Sequence, residues 1–576
     1  MRRSTRSLAF LALLALVVAV WLPRLRGPID LRWDGGVYYV LGTALAQGQG
    51  YRLLNEPGEI EAVQYPPLLP AIVALHQLVL GTSDPLVVGH WLRLTFFLMF
   101  AVHALSSYVL LRRFLPSGYA FAGVAVCVLH LFTMFLSDLL SAELPFALAS
   151  VLFVLWSAGP RARSHPVAAA VCATCAYLLR TAGIALLIAW VGDSLVRREF
   201  KLAALRCAIA MLPVVGWQAY VAEVQAGASY AAPAYSYQRA DYLFYNVSYG
   251  TNLALRDPYR PELGKASPAD LGWRVLGNLI RLPRSLGEAV SASRGRWQAL
   301  LARVPGLRAV AWERSGLALA TAAVAFLGLV VLVGLALHLA RPERLIALYV
   351  LLYAGTVCLT PWPLQLKRYW SPLAPFLVLF LLQCLLSVRS RAWPGGPVLI
   401  RAIARMLPAT VVCVVLMVQT FIVLDAYRTS SGEVVLHDRR GSPVRFRLFF
   451  YTRPDRELDE ALEWLRPRVR PADVVAAAMP HWTYLLTGAK TVVPPFEADP
   501  QEAGALLDGV PVEYIVLDGT DVDIAHLMRR STVEMLRAAP ARWTAIYKSS
   551  SGEVAVYERS AEPTESAATG RATADR

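Results

Sequence analysis

Charge is scarce in this chain. Only 17% of its 576 residues are Asp, Glu, Lys or Arg, while 56% are hydrophobic and the mean hydropathy is +0.46. Ordinary soluble domains carry about 25% charged residues, so a wholly soluble enzyme is excluded, and so is a disordered chain. Cysteine is sparse as well. The seven cysteines (Cys127, Cys172, Cys175, Cys207, Cys358, Cys384 and Cys413) all fall inside apolar runs, which leaves no disulfide framework of a secreted module. Cys172 and Cys175 read as small buried residues on one membrane helix rather than a redox pair. The nine histidines do not cluster at metal-ligand spacing, and His103 and His130 stand singly in apolar runs as helix-packing residues. There is no phosphate-binding loop, no H-E-x-x-H, no G-x-S-x-G and no dinucleotide fingerprint. The missing phosphate loop argues against an ATP-driven pump with its motor on this chain.

What the chain has instead is apolar runs. At roughly 20 residues per span there is room for about ten membrane helices. Eleven spans are expected, at 8–22, 86–111, 119–136, 144–159, 166–179, 182–196, 203–222, 316–339, 345–360, 371–388 and 398–424. The first keeps its place as an anchor because no small-residue cleavage site follows Trp21-Leu22-Pro23. Basic residues then set the orientation. One set of ends carries fifteen Lys and Arg, among them Arg112, Arg113, Arg197, Arg198, Arg341 and Arg344, and the opposite short loops carry only Arg180, Lys367 and Arg368. The positive-inside rule places the N-terminus in the cytoplasm and, after an odd number of spans, the C-terminus outside. The net charge of +15 is thereby assigned to membrane sidedness, and no nucleic-acid partner is expected.

Three outer segments are too long to be connectors: 23–85, with an apolar interfacial helix at 66–80; 223–315, aromatic from Tyr230 to Tyr249 and then Arg-rich and amphipathic from Trp273 to Trp312; and 425–576. In the last, membrane runs give way to short strands alternating with helices. Helices are expected at 455–466, 481–487, 499–508 and 521–537, strands at 473–478, 491–493 and 512–517, and a hairpin of 542–548 with 553–558. The expected organisation is a helical membrane domain over 1–424, a small extracytoplasmic α/β domain over 425–559 and a disordered tail over 560–576 rich in Ala, Thr, Glu and Ser.

Candidate chemistry gathers on the outer side. The first outer loop holds Asp34 beside Trp33, two glycines, Tyr38 and Tyr39, and continues to Tyr65-Pro-Pro67. Aromatic rings stack on sugars, glycine lets backbone approach closely, and a carboxylate can take a proton from an attacking hydroxyl. An interfacial aromatic belt with a helix-capping Asp accounts for the same residues without chemistry. A second pair of acids, Asp138 and Glu143, lies in a very short outer loop, where intramembrane acids are costly and often functional, although Asp138 could simply cap a helix. Arg180, Lys367 and Arg368, with Tyr369 alongside, suit a phosphate at headgroup depth; snorkelling to the interface is the plainer account of each taken alone.

Together these pieces resemble the GT-C superfamily of polyprenyl-phosphate-sugar-dependent glycosyltransferases, in particular the bacterial branch related to protein O-mannosyltransferases and lipid A aminoarabinose transferases. The resemblance is carried by Trp33-Asp34-Gly-Gly-Val-Tyr-Tyr39, Gly-Gln-Gly-Tyr51, Tyr65-Pro-Pro67, Ser141-Ala-Glu143-Leu-Pro145, Arg368-Tyr369 before Pro372 and Pro375, and Trp464 to Gly488 in the C-terminal region. It implies a GT-C-like fold, a lipid-linked donor, transfer on the outer face of the cytoplasmic membrane and inversion at the sugar carbon. Asp34 matches the family's first-loop acid, its general base, and Glu143 or Asp138 its second acid. Arg180, Lys367 and Arg368 would bind the donor phosphate, and Trp33, Tyr38, Tyr39, Tyr65 and Tyr369 the substrates. A single acid at Asp34, followed by Gly35, departs from the adjacent acid pair of protein mannosyltransferases, and the W-W-D signature of oligosaccharyltransferases is missing. Both departures weigh against a protein acceptor and against en bloc N-glycosylation; lipid, glycan and protein stay the acceptor classes, and no cofactor is dictated, with a divalent cation left open. A lipid or sugar transporter and a polysaccharide polymerase are the alternatives. The transporter predicts two matching halves with midplane charges, which this chain lacks.

Overall fold

The computed structural model describes residues 2–157, 165–303, 314–391, 398–438, 441–519 and 523–560. The tail expected beyond Ser560 and the end of the basic stretch at 304–313 lie outside them. The chain divides into two compact units, the first made of 1–54, 59–233 and 239–452, the second of 55–58, 234–238 and the residues from Arg453 on.

The first unit is helical. With no water in a bilayer core, each apolar run must satisfy its own backbone, and helices do so. Each of the eleven expected runs is helical, but their lengths differ. Among the described residues six helices are long and apolar enough to cross a membrane: Ser7–Arg24, Pro85–Leu111, Phe200–Ala226, Ser315–Leu339, Pro363–Arg389 and Arg401–Thr429. A seventh arises if Ser117–Leu129 and Leu131–Asp138, bent by 56° at His130, count as one span. The expected straight span 119–136 is thus broken: His130 is extended (φ −67°, ψ 117°) and its Nε2 sits 2.9 Å from the Glu288 carbonyl. Glu143–Ser157, Pro166–Leu179, Thr181–Val196 and Leu345–Cys358 are shorter apolar helices, as is Leu68–Leu80 within the segment 23–85.

Packing sorts these helices. Pro363–Arg389 is the most enclosed span and Phe200–Ala226 the least, with Leu205, Met211, Leu212 and Val215 exposed in the manner of a lipid-facing surface. The amphipathic helix Pro268–Val290 begins at a capping box of Ser267 and Asp270 and exposes Trp273 and Ile280. Its later half packs on Arg314–Leu339 at two glycines. A Cβ on Gly287 would lie 1.8 Å from the Val324 carbonyl oxygen, and one on Gly328 1.7 Å from that of Pro283, so only glycine allows this backbone approach. The unit ends in an antiparallel hairpin of β1 (Gly432–His437) and β2 (Pro443–Leu448), paired from Gly432 with Leu448 to His437 with Pro443. Val434, Leu436, Phe446 and Leu448 share its buried face. Residues 425–452, which composition groups with the C-terminal region, therefore belong with the helices.

The second unit is α/β. Its five-stranded sheet has the order β4-β3-β5-β7-β6, built from β3 (Val474–Ala477), β4 (Lys490–Val492), β5 (Val512–Leu517), β6 (Trp543–Lys548) and β7 (Ala555–Arg559). β3 pairs in parallel with β4 and β5, while β7 runs antiparallel to β5 and β6. Helices Arg453–Leu465, Pro480–Thr487, Pro500–Asp508 and Asp523–Ala538 alternate with the strands as the apolar pattern predicts. Short pieces of the segments 23–85 and 223–315 complete the unit. The Asn55 carbonyl accepts the Thr491 amide at 2.7 Å, and buried Glu56 accepts from the Tyr235 hydroxyl at 2.7 Å and Gln238 Nε2 at 3.1 Å.

Candidate active site

Asp34 lies at the start of a buried helix, Asp34–Ala46, rather than in an open loop. The residue before it, Trp33, has φ 53° and ψ −132°, a backbone conformation that costs a bulky residue of order 1–3 kcal/mol and persists only where its surroundings enforce it. Those surroundings are visible. The Asp30 amide donates to the Asp138 carbonyl at 3.0 Å, and the Asp30 carbonyl accepts the Leu140 amide at 2.9 Å. A Cβ at Gly35 would lie 2.9 Å from the Asp30 carbonyl oxygen, so the glycine lets this strand-like bridge pass close beneath the helix start.

The same bridge brings in the second acid. Glu143 begins the helix Glu143–Ser157, just beyond Leu140, and its residue is 2% exposed. Two cations meet it. Arg180, which ends the helix Pro166–Leu179, donates through Nη1 to Glu143 Oε1; Arg368, from the short helix Leu366–Trp370, donates through Nε to the same oxygen at 2.5 Å. Arg368 also reaches Asp34 Oδ2 through Nη2, and Tyr65 donates its hydroxyl to Asp34 Oδ1 at 3.1 Å. Four ionised groups from four distant stretches thus form one chain, Asp34–Arg368–Glu143–Arg180. Glu143 Oε2 alone among these carboxylate oxygens is buried without a hydrogen-bond partner.

An aromatic wall surrounds the chain. Tyr38 packs edge-on to Tyr65 with ring centroids 5.0 Å apart, and the Arg180 guanidinium lies 5.7 Å from the Tyr369 ring. Tyr51 fixes the Tyr65 segment by donating to its carbonyl at 2.9 Å. Burial first, and then the charge of Asp34, pushes the hydroxyls of Tyr65, Tyr245 and Tyr259 upward, so they stay protonated hydrogen-bond donors. Tyr245, Tyr249 and Tyr259 come from the long segment 223–315. Its aromatic composition was visible in the sequence, but nothing there ties Tyr245 and Tyr259 to Asp34, or Tyr249 to Arg180 and Arg368.

Other expected site residues lie elsewhere. Asp138 points away from the cluster: its Oδ1 meets Arg24 Nη1 at 3.1 Å and Arg93 Nη2 at 3.3 Å, and its Oδ2 accepts the Phe449 amide at 2.5 Å. Both arginines are fully buried, so Asp138 is the counter-charge of a buried ion cluster. Tyr39 turns to the opposite side of its helix and donates to the Ser83 carbonyl at 2.9 Å. Lys367 is exposed, with its Nζ 5.8 Å from the Phe132 ring, and does not join the acids. Trp33 is half-buried and acts here through its backbone. Tyr369 stays at the cluster through its ring beside Arg180, while its hydroxyl donates to Gln365 at 2.9 Å.

No protein-family model matches the sequence, and no curated protein matches it. Solved structures do resemble the fold. The archaeal oligosaccharyltransferase AglB from Archaeoglobus fulgidus, in complex with an inhibitory peptide and a dolichol-phosphate, superposes with a TM-score of 0.52 at 12% identity, over 97% of this chain and 74% of that one. An Archaeoglobus fulgidus oligosaccharyltransferase in complex with Zn and sulfate gives 0.52 at 15% identity, over 96% and 73%. The chain has a GT-C fold. ArnT from Cupriavidus metallidurans in the apo state, also of the GT-C superfamily, aligns over 97% of this chain and 98% of its own with a TM-score of 0.48 and 12% identity. At these identities the GT-C likeness speaks for the fold.

Proposed function

We propose that the chain is an integral membrane glycosyltransferase that moves a sugar from a polyprenyl-phosphate donor to an acceptor hydroxyl at the outer face of the cytoplasmic membrane, with inversion. The observation that carries this reading is the convergence of Asp34, Glu143, Arg180 and Arg368. The GT-C fold adds to it, as does the dolichol-phosphate held by the archaeal neighbour.

Helix direction supports this sidedness. Glu143 opens its helix and Arg180 closes the next, whereas Arg112, Arg197 and Arg344 cap the opposite ends of the apolar helices Pro85–Leu111, Ile184–Val196 and Leu345–Cys358. By the positive-inside rule the acids then face outward, with the N-terminus in the cytoplasm.

The chemistry needs a base on one face of the sugar and cations at the leaving group on the other. The acceptor oxygen attacks the anomeric carbon and the bond from that carbon to the phosphate oxygen breaks. The electron pair leaves with the phosphate, and the acceptor proton passes to Asp34. Arg368, which holds both acids, adds its fixed charge where the phosphate departs. Arg180 adds a second fixed charge where negative charge grows, and exposed Lys367 a weaker one. Tyr38, Tyr65 and Tyr369 offer rings and hydroxyls to the sugar. The prenyl tail lies in lipid between the spans.

Purified protein in lipid nanodiscs, given a panel of radiolabelled polyprenyl-phosphate sugars with lipid, glycan and peptide acceptors, is expected to release the polyprenyl phosphate and label one acceptor class. Movement of intact donor across a vesicle membrane without cleavage would instead establish the transporter.

A further inference from the structure

We infer that Arg368 stands where a bridging metal ion would stand, so that sugar transfer at this site needs no divalent cation. The inference rests on the glycosyltransferase reading above. Hard divalent cations take about six oxygen ligands, carboxylates foremost, and zinc about four ligands. Among the described residues no group of three or more His, Cys, Asp or Glu side chains could hold a metal ion. Only Asp34 and Glu143 converge, and three of their four oxygens are committed. Asp34 Oδ1 takes the Tyr65 hydroxyl, Asp34 Oδ2 takes Arg368, and Glu143 Oε1 takes both Arg180 and Arg368.

A guanidinium fits this place on its own terms. It is planar, permanently charged and carries donors along two edges, so one residue can face two carboxylates at fixed angles. Arg368 does this, with Nε toward Glu143 and Nη2 toward Asp34. Two carboxylates against two guanidiniums leave the cluster neutral. A divalent ion added there would place two further positive charges beside fixed cations in a poorly hydrated site, where repulsion is weakly screened. The remaining oxygen, Glu143 Oε2, is buried without a hydrogen-bond partner, and a single such oxygen falls far short of the ligand set a divalent ion needs.

The test uses the full-length protein in nanodiscs after extraction with EDTA. Transfer from a polyprenyl-phosphate sugar is timed in EDTA and in added Mn²⁺, and Mn²⁺ binding is followed on the same samples by electron paramagnetic resonance. The expected result is no loss of rate in EDTA and no stoichiometric Mn²⁺ site that depends on these acids. Transfer abolished by EDTA and restored by Mn²⁺ overturns the inference, as does a stoichiometric site removed by Glu143→Gln. If no donor supports transfer, the glycosyltransferase reading fails, and the Mn²⁺ titration still decides whether the acids hold a metal.

Discussion

Asp30 joins the two acids of the site through its backbone: its amide donates to the Asp138 carbonyl at 3.0 Å and its carbonyl accepts the Leu140 amide at 2.9 Å. Asp34 follows four residues after one side of this bridge, and Glu143 three residues after the other. The spacing of the two carboxylates therefore depends on residues that touch neither.

Asp138 and Glu143 consequently separate by experiment. Asp138→Ala leaves Arg24 and Arg93 buried without their carboxylate, a loss of about 3–5 kcal/mol for a broken buried pair. Thermal unfolding in detergent is expected to fall sharply. Glu143→Gln keeps the shape and is expected to hold its melting temperature much better while losing transfer. Equal losses of stability in both would remove the distinction.

Gly35→Ala tests the bridge directly. The added methyl meets the Asp30 carbonyl oxygen at 2.9 Å, so the start of the Asp34 helix must move. A misplacement near 1 Å can cost on the order of 10² in rate. The expected outcome is a fall in kcat larger than any change in donor KM.

The three cations should not be equivalent. Arg180→Gln removes a buried partner of Glu143 and a charge from the leaving group, with an expected rate loss of about 10²–10³. Lys367→Ala removes an exposed charge and should raise donor KM modestly, an effect that fades at high salt. The two variants, measured side by side at two ionic strengths, check this ranking.

A pH effect is expected in the second unit. Burial works to raise Glu457, but the hydroxyls of Ser551, Ser549 and Ser550 and the Arg453 guanidinium outweigh it and hold the carboxyl at about 2. A carboxyl depressed below its ordinary 4.5 stabilises fully above that value, and the contribution is lost as pH falls toward 2. Protection of the amides in Arg453–Leu465 on the full chain, corrected for the intrinsic pH dependence of exchange, should fall over that range, and Glu457→Gln should remove most of the dependence.

Much of this architecture is legible from local pattern. The apolar runs show the helices of the first unit, and short apolar stretches between Gly, Pro and Asp show β3, β4 and β5. Asp34, Glu143, Arg180 and Arg368 stand out because charge is rare at these ends of the apolar runs. Three features escape for physical reasons. Asp34 starts a helix, and successive helical residues turn by about 100°, which carries Tyr39 away from Tyr38; Tyr39 serves Ser83 instead. Asp138 looks like Glu143 from spacing, but its role is fixed by Arg24 and Arg93, far away in sequence. The β1–β2 hairpin alternates buried Val434, Leu436, Phe446 and Leu448 with charged residues, too short a signal beside the long apolar run before it.

The most direct test is transfer by wild type and Asp34→Asn at equal amounts in the same membranes. Asparagine preserves the size of the side chain and removes its capacity to accept the acceptor's proton. The account predicts a rate lower by about 10²–10⁴ with donor binding retained. Transfer at the wild-type rate in Asp34→Asn would contradict it.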